Sequence, residues 1–145
     1  MAALCEVVGV VDHVDQKTRS LIMAAVHSED TGPEMAVRRI VHALGYRYRL
    51  HVGKLPGKPD LVFPSRRKIV FVNGCFWHRH PNCRYATSPK TRKNFWLAKF
   101  TANVERDRRA KLELRRMGWA VFTVWQCELK KAETLTGRLN DFLSN

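Results

Sequence analysis

The chain has 145 residues, of which 45% are hydrophobic and 27% charged, the size and composition of one folded domain rather than a disordered or multidomain chain. Lysine and arginine number 26 against 13 acidic residues, a net charge of +13, which points to a polyanionic partner. No run approaches the ~20 apolar residues of a membrane span, and residues 1–14 carry Glu6 and Asp12 without the basic start of an export signal.

The basic bias is local as well as global. Between Glu34 and Glu105 lie 15 basic residues and one acid, Asp60. A nucleic-acid footprint is the reading favoured over a merely solvated basic surface. Residues 1–16 read as a flexible tail and residues 17–145 as a single domain. Four cysteines without an export signal read as reduced thiols or metal ligands in a cytoplasmic protein.

In chain order, residues 18–27 read as a short helix with Leu21, Ile22, Ala25 and Val26 on one side. Thr31 caps a second helix, with Pro33 in its first turn and Glu34 completing a capping box, which runs to about Leu44 and ends at Gly45. Residues 47–51 read as a strand and residues 53–59 as a turn-rich connection. Residues 60–63 and 68–72 are buried strands joined by a turn at residues 64–67. Residues 73–90 are irregular and rich in Cys, His, Pro and Arg. A long helix covers residues 91–117 and closes at Gly118. Residues 119–125 form a last strand and residues 131–143 a last amphipathic helix. This order describes an α/β domain, a mixed sheet flanked by helices.

Asp60 stands alone among cations at the start of an apolar strand. It is either a turn aspartate holding backbone N–H groups or a hard oxygen ligand for Mg²⁺, which fills its remaining positions with water and phosphate oxygens. The second reading suits a phosphate partner. Cys75, His80, Cys83 and Cys127 are a ligand set for tetrahedral zinc, with free thiols or a disulfide as the alternatives. A staple is expected because about 18 irregular residues interrupt a compact domain. Cys5 stands apart from them. With His80 given to metal, His78 remains as a general acid or base, or as a structural histidine.

On the long helix, Trp96, Phe100, Asn103, Asp107, Ala110, Leu114 and Met117 share one face. A carboxylate on that face needs a partner, and Asp107 has two kinds available, a histidine such as His78 or an arginine. Phe76, Trp77 and Trp96 are either core or rings that stack on bases or wedge between them. The stretch from Arg84 to Arg116 has 11 basic and 3 acidic residues, suited to flanking phosphates.

Several segments together resemble the very short patch repair endonucleases. They are Thr18-Arg19-Ser20, Pro33-Glu34, Leu55-Pro56-Gly57-Lys58-Pro59-Asp60, Asn73-Gly74-Cys75-Phe76-Trp77-His78, Asn103-Val104-Glu105-Arg106-Asp107 and Trp125-Gln126-Cys127-Glu128. The resemblance spans residues 17–143. It implies a restriction-endonuclease-like fold with a structural zinc site, and Mg²⁺-dependent nicking of one strand 5′ to the thymine of a T·G mismatch left by deamination of 5-methylcytosine. By that likeness Asp60 holds Mg²⁺ with the backbone carbonyl of Val72, His78 acts in acid–base chemistry, Asp107 orients it and Glu34 supports the site. Cys75, His80, Cys83 and Cys127 bind zinc. Phe76, Trp77 and Trp96 enter the DNA beside the mismatch, Met23 approaches from the minor groove, and Arg19 and Asn103 join the DNA contacts.

The resemblance further implies a bacterial-type cytoplasmic enzyme on the nucleoid, with mismatched double-stranded DNA as partner and mismatch-repair proteins as further partners to test. The charge makes oligomerisation unnecessary for DNA affinity, so a monomer is expected. Asn73 stands where some members have histidine, and Val72 where they have a hydroxyl residue. Residues 68–73 offer no second acid, so a histidine-based mechanism is the consistent one.

Overall fold

A computed structural model describes residues 30–145. The helix expected over residues 18–27, the tail 1–16, and Cys5, Arg19 and Met23 lie outside the described residues. Helix α1 spans Gly32–Ala43, β1 Leu61–Phe63 and β2 Lys68–Asn73. Helix α2 follows at Lys93–Arg116, then β3 at Ala120–Trp125 and α3 at Ala132–Ser144. A 3-10 turn at Pro64–Arg66 joins β1 to β2, with Arg67 in the left-handed region, and a second at Gln126–Lys131 joins β3 to α3.

The three strands form one mixed sheet in the order β1-β2-β3, with β1 antiparallel and β3 parallel to the central β2. Every residue of β2 is buried, the continuous apolar run expected of a strand covered on both faces. The period of two sorts the core into halves. Leu61, Phe63, Val70, Val72 and Val124 face Val37 and Val41 of α1 and Leu135, Leu139 and Leu143 of α3. Val62, Ile69 and Phe71 face Leu114 and Trp119 on the side of α2. The expected mixed sheet flanked by helices is therefore the fold, with α1 and α3 on one face and α2 on the other. Among the described residues no helix is long and apolar enough to cross a membrane.

Three local expectations change. The strand expected at residues 47–51 is reduced to a bridge between Arg49 and Val62, whose amides exchange hydrogen bonds at 2.8 and 3.0 Å. His51 adopts φ 54°, which ends extended pairing. In α1, Thr31 Oγ1 accepts from the Glu34 amide at 3.3 Å, while the Glu34 carboxylate accepts from the Asp30 amide at 2.9 Å rather than completing the capping box at Thr31. Met117, expected on the buried face of α2, is 44% exposed. It follows the last helical turn, and Gly118 at φ 91° turns the chain so that Trp119 takes the buried place.

Candidate active site and metal centre

The candidate site lies where β2 and β3 end in parallel, the edge at which α/β sheets collect ligands. Asp60 immediately precedes β1, and its Oδ2 accepts from the Val72 amide at 2.6 Å. Gly57 lets the preceding loop reach this edge. It sits at φ 76°, and a Cβ there would lie 2.7 Å from Ala110 Cβ and 3.3 Å from Phe71, so the loop is pressed against α2 just ahead of Asp60.

Burial pushes the Asp60 carboxyl up to about 7. The Val72 amide and the charges of His78 and Arg38 oppose that rise, and the buried Glu34 adds to it. A cation bound beside this carboxyl would favour its ionised form. The neighbouring backbone supplies a second oxygen. Extending the Leu61↔Val70 register outward places Pro59 opposite Val72. Proline has no N–H, so in that continuation it would offer the Val72 carbonyl no ladder donor, and in an extended strand this carbonyl points to the same side as the amide that holds Asp60. One carboxylate and one open carbonyl, both hard oxygen donors, fit Mg²⁺.

Glu34 is 4% exposed and Arg38 7%. Arg38 Nη2 reaches Glu34 Oε2 at 3.3 Å and Asp30 Oδ1 at 2.8 Å, so the buried acid beside Asp60 has its own counter-charge. Sequence reading missed Arg38. The Glu34–Arg38 spacing of one helical turn was the available signal.

The segment after β2 carries His78 back over α2, with its amide bonded to the Gly74 carbonyl at 3.1 Å. His78 Nδ1 lies 2.5 Å from Asp107 Oδ2. Of the two kinds of partner open to Asp107, the structure gives the histidine. Asn103, one turn earlier on α2, donates to the Trp77 carbonyl at 3.1 Å, and its own oxygen accepts from Arg106 at 2.8 Å. Asn103, expected among the DNA contacts, thus also holds the backbone of the residue next to His78 through its Nδ2.

Phe76, Trp77, Trp96 and Phe100 form one aromatic cluster, with ring centroids 5.0–6.0 Å apart. Phe76 is 3% exposed and Trp96 2%, so these rings pack on one another here, and entering DNA requires the cluster to open. The indole N–H groups of Trp77 and Trp96 are buried with no hydrogen-bond partner among the described residues. Arg79, also missed in the sequence, ties the segment together. Its guanidinium donates to the carbonyls of Phe76, Ala86 and Thr87 at 2.9–3.3 Å and lies 4.0 Å from the Phe100 ring centroid.

Cys75, His80, Cys83 and Cys127 converge, with their ligand atoms all within 4.8 Å of one another. His80 Nδ1 is 3.7 Å from Cys75 Sγ and 3.4 Å from Cys127 Sγ. A zinc tetrahedron places such atoms about 3.5–3.8 Å apart, so the set fits. Three free thiols meet at this point, and none is paired in a disulfide. Burial pushes the Cys75 thiol up to about 12 and raises that of Cys127, while it lowers the pKa of His80. The imidazole is thus kept neutral, as a ligand must be, and stacks on Trp125 at 4.3 Å. The cluster joins the irregular segment to the end of β3 and could hold a metal ion.

Residues 11–84 match the family described as DNA mismatch endonuclease Vsr. The type II nicking enzyme V.XorIIP of Xanthomonas oryzae pv. oryzae is 48% identical over 132 residues, covering 91% of this chain and 96% of that protein. The DNA mismatch endonuclease Vsr of Escherichia coli is 42% identical over 122 residues, covering 84% of this chain and 78% of that protein. Among solved structures, the catalytic domain of the homing endonuclease I-Bth0305I has a similar fold, with a TM-score of 0.55 at 20% identity, covering 78% of this chain and 94% of that one. The mixed sheet with its flanking helices is thus of the restriction-endonuclease-like kind. By sequence, the chain belongs to the DNA mismatch endonuclease Vsr family of DNA endonucleases.

Proposed function

We propose that this endonuclease nicks one strand of duplex DNA on the 5′ side of the thymine in a T·G mismatch, by Mg²⁺-dependent phosphodiester hydrolysis that opens a short repair patch. The observation that carries this reading is the His78–Asp107 pair, near enough for the charge of His78 to act on Asp60, with a cluster of aromatic rings next to it in the chain.

Asp60 and the Val72 carbonyl would hold Mg²⁺, which when bound offsets the charge developing on the scissile phosphate and the leaving 3′ oxygen. Asp107 accepts from His78 Nδ1–H, which leaves Nε2 as the basic nitrogen to take a proton from the attacking water. Glu34, held by Arg38, supports the acidic edge of the site. Asn103 fixes the Trp77 backbone, so the ring and the neighbouring His78 keep one relative position. Phe76, Trp77 and Trp96 would select the mismatch by wedging beside it, because a T·G step yields more readily than a matched pair. Arg19 and Met23 are assigned to further DNA contacts, with Met23 on the minor-groove side. Cys75, His80, Cys83 and Cys127 would bind structural zinc and hold the loop that presents these groups. The net charge of +13 supports duplex binding by a monomer.

The test is strand-labelled cleavage of a T·G duplex by Asp60→Ala and His78→Ala proteins. Both should bind DNA and lose nicking by at least about 10²-fold. Full nicking by either variant would remove the mechanism. Several relatives are named nicking enzymes, so a panel of mismatches and matched sites is the companion experiment, and cleavage at a matched site alone would favour a site-specific nickase.

A further inference from the structure

We infer that Arg84 and Lys130 form a second contact for the DNA sugar-phosphate backbone, outside the Asp60–His78 site. The inference rests on the chain acting on DNA, and it adds a surface that neither the acid–base dyad nor the aromatic cluster supplies. Arg84 and Lys130 are far apart in sequence, yet both come to one ring. Lys130 Nζ lies 4.3 Å and Arg84 Cζ 4.8 Å from the Tyr85 ring centroid, and Arg84 Nη2 donates to the Tyr85 hydroxyl at 2.7 Å.

Both cations are exposed, and among the described residues neither forms an ion pair with an acid. Two other arginines are engaged instead. Arg108 is held by Glu105 at 2.6 Å, and Arg138 is paired with Glu128, on the same 3-10 turn as Lys130. Gathering two like charges around one aromatic ring works against Coulomb repulsion. The electron-rich face of the ring offsets part of it through cation–π attraction. What remains is a standing, uncompensated positive point.

The point is also held in place. Arg84 directly follows Cys83, and Lys130 shares the turn Gln126–Lys131 with Cys127, so the Cys/His cluster fixes both carriers. The side-chain entropy normally lost on ordering long cations is partly spent before DNA arrives. The chemistry selects phosphate over bases, since the Tyr85 ring is occupied by its own cations and is not open to stack on a base. Such contacts set affinity and register without reading sequence.

The experiment measures binding of zinc-loaded protein to a labelled, fully matched duplex by fluorescence anisotropy over a range of salt concentrations, without Mg²⁺. Two phosphate contacts account for about 1.8 in the slope of log K against log salt. The Arg84→Gln/Lys130→Gln protein should retain one zinc per chain and show a slope shallower by about that amount. Arg108→Gln, which removes a cation already engaged by Glu105, should change the slope by less than about 0.5. An unchanged slope in the double variant overturns the inference. So does an equal change in Arg108→Gln, which would mean a diffuse field rather than a contact. Wild-type protein that binds no duplex at any salt would overturn the DNA reading itself, a result distinct from wild-type binding with an unaltered double variant.

Discussion

His78 Nδ1 lies 2.5 Å from Asp107 Oδ2, a contact that joins the irregular segment after β2 to the middle of α2. With Nδ1 donating to the carboxylate, Nε2 is left as the proton acceptor, so Asp107 selects the useful tautomer as well as the ring orientation. Asp107→Asn offers an amide that can face the ring with its N–H₂ and stabilise the other tautomer. The expected loss in kcat is about 10²–10⁴-fold with little change in duplex affinity. Single-turnover nicking alongside anisotropy separates the two quantities. Equal losses in both would show that Asp107 only maintains the fold.

Asp60 gives a pH prediction of definite sign. Its folded pKa of about 7 lies above the ordinary value of 3.8 because burial disfavours the charge. The stability it contributes in metal-free protein is therefore fully present below pH ~4 and is lost as pH rises through ~7. Asp60→Asn, which cannot ionise, should exceed wild type in Tm at pH 8 in EDTA, by up to roughly 2–4 kcal/mol in stability. The gap should close near pH 4. Mg²⁺ should raise the Tm of wild type at pH 8 and leave that of Asp60→Asn unmoved. A wild-type Tm that climbs relative to the variant between pH 5 and 8 in EDTA would contradict the assignment.

Much of this arrangement was legible in the sequence, and the residues show why the rest was not. The cap at Thr31, the apolar runs of β1 and β2, and the stripe of α2 each follow from local propensity and periodicity, so those elements appear with nearly their expected ends. The Cys/His cluster was readable because thiols and an imidazole have few other reasons to share a segment. The strand at residues 47–51 failed on a backbone angle at His51 that no periodicity reports. Arg38, Arg79 and the use of Asn103 depend on which backbone atoms come within reach after folding, and long polar side chains look alike in sequence whether they coat a surface or hold a loop.

The cluster of Cys75, His80, Cys83 and Cys127 makes a prediction about protons. In the metal-free protein burial keeps Cys75 and Cys127 protonated at neutral pH, and zinc binds thiolates. Zinc uptake at pH 7 should release one proton from each, so the apparent affinity should fall on the order of 10²-fold per unit drop in pH. Calorimetry in buffers of different ionisation enthalpy counts the protons. Cys127→Ala should lose the metal and lower Tm, because it removes the ligand that ties the segment to β3. Zinc binding without proton release would contradict this ligand set.

Gly57 offers a packing test. Gly57→Ala faces a 2.7 Å approach to Ala110 Cβ and a left-handed φ of 76°, together worth about 1–3 kcal/mol of destabilisation. Removing the opposing methyl with Ala110→Gly should make the pair less destabilising than the sum of the single changes, leaving a cost attributable to backbone angle and helix propensity. Denaturant unfolding of the four proteins closes the cycle. Strict additivity would mean that the loop does not press on α2.

The most direct measurement is a strand-labelled nicking assay with Mg²⁺ on three otherwise identical duplexes, holding T·G, T·A or C·G at one position in a cytosine-methylation context. The account predicts a single nick 5′ to the thymine of the T·G duplex and none in the other two. Equal cutting of all three, or none of any by zinc-loaded protein that still binds the duplex, would contradict it.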